Sequence, residues 1–223
     1  MTNLLDLGFE EKASFKPVDA GIYDAVIHGI VSLGVQPQKD DPVTGKPKAP
    51  RGMLKIIFEM PDVVRDDKQT ALISKNMALS NHEKSGYYKL FAACLGSAKT
   101  TKAVVASTPV TDLLGKKLAL TVVHWSNAEN GTSGAKVPEN ATNHLDARLA
   151  TIATPATRDT FFFNPMNPDL DVFKDKLTYY TQKVVMDALN ASSFPKELHQ
   201  LWVKIQEERN ATLPASHNTE AIE

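Results

Sequence analysis

The chain has 223 residues, 42% of them apolar and 23% charged, with a formal net charge of −1. That length and balance suit one sizeable domain with an appendage; they exclude a wholly disordered chain and one that needs disulfides or metal to hold a core. The single cysteine, Cys94, excludes an internal bridge and a paired-thiolate zinc site, and no run approaches the roughly 18 to 20 apolar residues of a membrane helix.

Residues 1–19 carry Glu10 and Glu11 and no long apolar run, which predicts a loosely held arm and no secretory signal. From Gly21 to Val35 the pattern alternates, placing Tyr23, Ala25, Ile27, Gly29 and Val31 on one face of a first strand. Gly29 and Gly34 inside it predict a bend or bulge. Pro37, Pro42, Gly45, Pro47 and Pro50 then predict an irregular loop to Arg51. Gly52 to Met60 reads as a second strand with Leu54, Ile56, Phe58 and Met60 on one side, ended by Pro61. Leu72 to Leu79 reads as a third.

A helix is expected next, capped by Ser80 or Asn81, with Ser80 and Glu83 in capping-box spacing. Its apolar face would hold Tyr87, Leu90, Phe91, Cys94 and Leu95, which makes Cys94 a core residue, and Gly96 would end it. Thr108-Pro109 predicts a short helical turn to Leu114, closed by Gly115. Lys116 to Ser126 reads as a fourth strand, Asn130-Gly131 and Gly134 as a turn, and His144 to Ala153 as the region of a last strand. Beyond Pro155, two amphipathic helices are expected, over Leu170 to Asn190 and Pro195 to Arg209, the second with Trp202 on its apolar face.

The implied fold class is mainly β with added helices (α+β): a five-stranded oligonucleotide-binding barrel with a helix between strands three and four, plus a C-terminal helical extension. The expected division is an arm at 1–19, the barrel at 20–155, the extension at 156–209 and a disordered tail at 210–223. The extension packs on the barrel by default; a partner helix or self-association are the alternatives.

Four runs taken in order resemble a family of tailed-bacteriophage single-stranded DNA-binding proteins. They are residues 20–34 (Ala20-Gly21-Ile22-Tyr23-Asp24 through Gly34), Lys55-Ile56-Ile57-Phe58-Glu59-Met60, residues 73–85, where Ser80-Asn81-His82-Glu83-Lys84 follows the third strand, and residues 113–122, with Gly115-Lys116-Lys117. The similarity spans roughly residues 15 to 165. It implies a barrel that coats single strands without sequence preference in phage replication or recombination, in the cytoplasm of an infected bacterial host. Its implied partners are single-stranded DNA, replication or recombination proteins and a second copy of the chain, with no membrane and no cofactor. Many single-strand binders end in a strongly acidic tail; here Glu220 and Glu223 are the acidic residues after Arg209.

Single strands are held by cations along the phosphates and by rings under the bases. Among the candidate rings Tyr23, Phe58, Tyr87, Tyr88 and Trp125, the face-sharing of Phe58 and Tyr87 marks them as core, and Tyr23 and Trp125 are the better stacking candidates. The cationic candidates are Lys46, Lys48 and Arg51 in the first loop, Lys55 and Lys75 on the central strands, and Lys116 and Lys117 entering the fourth. In such barrels the second and third strands form the binding face. Lys55→Glu with Lys75→Glu is therefore expected to weaken binding without changing the melting temperature.

Catalytic signatures are missing. There is no phosphate-binding GxxxxGK[ST] loop, no GxSxG elbow and no HExxH helix, and the six histidines show no metal-ligand spacing. The chain is expected to be no enzyme. A virion or assembly component built on a similar β domain is the alternative reading.

Overall fold

The computed structural model describes residues 17–40, 44–127, 132–138, 141–143 and 153–212. Most of the expected arm, Asn130-Gly131, most of the expected last strand and most of the tail lie outside them. Strand β1, Gly21–Gln36, is the spine. It pairs antiparallel along β2, Arg51–Val64, from Val26↔Glu59 to Gln36↔Arg51. Its opposite edge is shared: Gly21 to Val26 pair antiparallel with β4, Lys117–Asn127, while Gly29 to Val31 pair in parallel with β7, Phe161–Phe163. Strand β3, Thr70–Ala78, flanks β2. Strands β5, Thr132–Lys136, and β6, Thr142–Asn143, both pair with β4.

Among the described residues the order is β3-β2-β1-β4-β5, with β6 on β4 and β7 on β1, in one sheet of seven strands. Five strands closed into a barrel were expected. Among the described residues no ladder joins β3 to β5, so the sheet is open. Strand β5 is five residues long, and the chain just past it meets β3 through a side chain, where Lys75 Nζ donates to the Pro138 carbonyl.

The expected alternation along β1 breaks at His28. The β1–β2 register shifts between Ile27 and Gly29, and again between Ser32 and Val35. An extra residue in one strand turns the side chains that follow it to the other face. Ala25, Ile27 and Ile30 therefore enter one core, and Val31 and Leu33 enter another. The first core lies between the sheet and helix α1, Gly86–Leu95, with Leu54, Ile56, Phe58, Leu118 and Leu120 packed on Leu90 and Phe91. The second lies on the opposite side of β1 and β2, where Met53 and Ile57 meet Phe163, Phe173, Val185 and Trp202 from the C-terminal segment.

Several local expectations change. Strand β2 runs past Pro61 to Val64, because a register irregularity between Met60 and Val64 accommodates a residue with no N–H to give the ladder. Helix α1 is capped by Ser85, whose Oγ accepts from Tyr88 N at 3.0 Å, and not by Ser80 or Asn81. Ser80 accepts instead from His82 N in the turn before the helix. Gly96 ends α1 as expected. An additional helix, α2, Lys102–Ser107, follows, capped by Thr101. Gly134 lies inside β5. The helix expected over Leu170 to Asn190 is two pieces: a π-helical turn, Val172–Lys176, and α3, Tyr179–Met186. Thr178 separates them by adopting extended backbone and accepting from Thr181 N, a cap that starts a new helix. The last helix, α4, is Lys196–Thr212, ending three residues past the expected Arg209.

Candidate nucleic-acid interface

The nine candidate residues separate into groups. Lys46, Lys48 and Arg51 are exposed together on the loop and strand start after β1. Lys116 is exposed at the entry to β4. Trp125 is 38% exposed on β4, where its ring lies against Gly134 of β5 across the strand pair. Tyr23 is half-buried against the first core and donates from its hydroxyl to Asp19 O at 2.8 Å. Phe58 and Tyr87 are core residues, as their spacing predicted.

Lys55, Lys75 and Lys117 have hydrogen-bond partners within the chain. Lys55 is half-buried on the outward side of β2, and its Nζ donates to Thr181 Oγ1 of α3 at 2.7 Å. Burial lowers its pKa. Lys75 reaches Pro138 O, and Lys117 Nζ donates to Ala153 O at 2.7 Å. The outward side of β2, expected to carry the strand, is partly covered by the chain's own C-terminal segment. Alternation placed Lys55 on that side correctly but could not show what packs there.

Of the exposed cations, Arg51 lines a shallow cleft the sequence reading did not assign. Arg51, Leu79, Ser80, His82, Lys84 and Ser85 line it, and among the described residues no carboxylate does. Leu79 N donates to Gly52 O at 2.9 Å, which carries the β2–β3 pairing to the cleft floor, and Leu79 is 46% exposed there. The chain then turns tightly. Ser85 N donates to His82 O at 2.8 Å, Ser85 Oγ to Ser80 O at 2.7 Å, and Lys84 N to His82 Nδ1 at 3.2 Å. With Nδ1 accepting, the ring's donor is Nε2–H, suited to a phosphate oxygen. The neighbouring acid, Glu83, pairs with Lys102 at 3.5 Å. The signal was present as the Ser80-Asn81-His82-Glu83-Lys84 run, which capping-box spacing assigned to a helix start.

A second cleft lies where residues 157–161 cross the outward face of the sheet, lined by His28, Ile57, Leu72 and Phe161 with Arg158 and Lys176 at its sides. Beside it Glu59, fully buried, accepts from Thr70 Oγ1 at 2.8 Å and Thr157 N at 3.1 Å, and also from Thr157 Oγ1. Burial works to raise the Glu59 pKa, but the hydrogen bonds from Thr157 and Thr70 outweigh it and hold the carboxyl below its ordinary value. Cys94 is half-buried against the first core, and burial pushes its thiol up to about 12, which leaves it protonated and unreactive. Among the described residues no cluster of three His, Cys, Asp or Glu side chains could hold a metal, and no helix is long and apolar enough to cross a membrane. Comparison with protein-family models and with curated proteins finds no match for the chain.

Proposed function

We propose that the chain binds single-stranded DNA without sequence preference, as a binder and not a catalyst, in phage DNA replication or recombination. The observation that carries this reading is the cleft of Arg51, His82 and Lys84, with no carboxylate among the described residues of its lining, continuous in sequence with the exposed Lys46 and Lys48. On a chain of net charge −1, phosphate binding needs a local concentration of cations of this kind. The strand order β3-β2-β1-β4-β5, with α1 between β3 and β4, is that of an oligonucleotide-binding barrel. In this reading the gap between β3 and β5 is bridged by Lys75, and the β1–β2 loop lies at the rim where such barrels hold a strand.

The interface accordingly moves from the centre of β2 to its start. The phosphate-contacting set is Lys46, Lys48, Arg51, His82 and Lys84, with Trp125 offering a ring to a base. Fluorescence anisotropy of labelled oligo-dT tests it. Micromolar binding that weakens with salt is expected, and Arg51→Glu with Lys84→Glu should lower affinity about tenfold or more at low salt while leaving the melting temperature unchanged. Absence of salt-sensitive binding by the intact chain rejects the reading.

A further inference from the structure

We propose that the cleft between His28, Ile57, Leu72 and Phe161 holds one unstacked nucleobase of the bound strand, a base bearing an exocyclic amine, with its phosphate toward Lys176. The proposal rests on the single-strand-binding reading above and adds to it one base-reading subsite, which gives a binder otherwise indifferent to sequence a local preference against thymine.

The cleft is built by elements distant in sequence. Ile57 projects from the outward side of β2, Leu72 from that of β3, and Phe161 from β7. These apolar walls suit the faces of a flat heterocycle. His28 occupies the bulge of β1 with 7% of its surface exposed, its ring edge-on to Phe161 at 5.2 Å between centroids. Among the described residues its buried Nδ1 has no hydrogen-bond partner. A buried ring nitrogen without a partner is costly in a native fold. Burial lowers the His28 pKa, against a smaller opposing pull from Glu59, so the ring is neutral near neutral pH and offers one donor and one acceptor.

The charged groups decide which ligand fits. Arg158 and Lys176 line the cleft, but so do Asp159 and Asp175. Two carboxylates beside two cations cancel the field that would select a bare phosphate, and two cations disfavour a metal ion. Arg158 is held in place, with Nη2 donating to Thr70 O at 2.9 Å and Gln69 Oε1 at 3.0 Å, so it forms a fixed wall. Carboxylates accept from amines. Cytosine, adenine and guanine carry one on the base edge and thymine does not. Lys176 is exposed and free to follow the strand's phosphate. This subsite lies apart from the Arg51–Lys84 cleft, which contacts phosphates without regard to base.

The test is NMR of the full-length chain with its histidine rings labelled, titrated with short oligo-dC, oligo-dT, an abasic oligomer of the same length, and dCMP. The expected result is a shift of the His28 ring signals with oligo-dC, a smaller one with oligo-dT and none with the abasic oligomer, which still binds through its phosphates. Lys176→Glu should weaken oligo-dC binding several-fold more than oligo-dT binding. If oligo-dC binds and the His28 signals stay still, the base subsite is wrong while the single-strand reading survives. If no oligomer binds, the single-strand reading falls and the subsite with it. Equal His28 shifts with the abasic oligomer would assign the cleft to phosphate, and shifts at lower nucleotide concentration with dCMP than with the strand would assign it to a free nucleotide; either overturns the proposal.

Discussion

A Cβ at Gly29 would sit 2.6 Å from the ring of Phe161, and one at Gly34, where φ is +73°, would sit 2.7 Å from Ala188 Cβ. The two glycines that bend β1 are thus the positions where the C-terminal segment approaches its backbone. Phe161 is buried and cannot swing away freely. Gly29→Ala is expected to destabilise the fold by about 1–3 kcal/mol through overpacking. Gly34→Ala adds left-handed strain of about 1–2 kcal/mol to its own clash. Urea melts of the two variants measure both, and stability equal to the parent at either site would contradict the close approach. Between these glycines, His28 makes acid stability a residue-scale property. Its folded pKa is depressed below the ordinary 6.5. The unfolded chain therefore takes up a proton first as pH falls, and stability is lost from about 6.5 down through the folded value. Glu59, also depressed, from 4.5, loses its contribution in a lower window as its carboxylate protonates. His28→Leu should flatten the fall in melting temperature just below pH 6.5 and leave the Glu59 window unchanged. A slope identical to the parent in the upper window would show that His28 does not set it.

At the scale of elements, the C-terminal segment belongs to the same structure as the sheet it covers. Trp202 of α4 lies 5.3 Å from the Tyr179 ring and 6.5 Å from that of Phe173, and Arg209 stacks over Tyr179 at 3.9 Å. This core also holds Val31 and Leu33 of β1. Trp202→Ala should cost about 3–5 kcal/mol and shift one cooperative transition in calorimetry; a separate early transition would mean the helices melt alone. Lys55 is governed by the same docking. Its bond to Thr181 predicts that Lys55→Glu lowers stability by about 1–3 kcal/mol, with oligonucleotide affinity unchanged, which reverses the outcome expected from sequence. Alternation and helical spacing made β1 to β4, α1 and α4 legible, because those elements bury a periodic face. The three aromatic residues of β7 are too few to show a period, and the cap at Thr178 is hidden inside a run that keeps helical spacing across it. Of the candidate interface, residue type and loop composition found Lys46, Lys48 and Arg51. His82 and Lys84 join them through the β2–β3 pairing, a contact between segments that no local pattern reports.

For the molecule as a whole, one sheet supports two cores on opposite sides, so a polynucleotide has the rims, the loop ends and the open cleft at Ile57 left to it, and not the stretch of β2 where Lys55 meets α3. Arg51 lies at the Gln36 end of β1, while Trp125 lies past the Gly21 end. A strand touching both must run the length of the spine. With a net charge of −1, the body gives no general attraction to phosphate, and affinity depends on how many cations meet the backbone directly. That number is readable from salt. Each phosphate neutralised on a single strand contributes about 0.7 to the slope of log affinity against log salt. Replacing Lys46, Arg51 and Lys84 together by alanine should therefore reduce the slope by about 2. Lys55→Met, which alters a lysine bonded within the chain, should leave it unchanged. The comparison is internal to one protein and independent of labelling. If the triple variant keeps the parent slope while the single variant loses some of it, phosphates cross the covered face of β2 after all, and the helices over it must lift for DNA to bind.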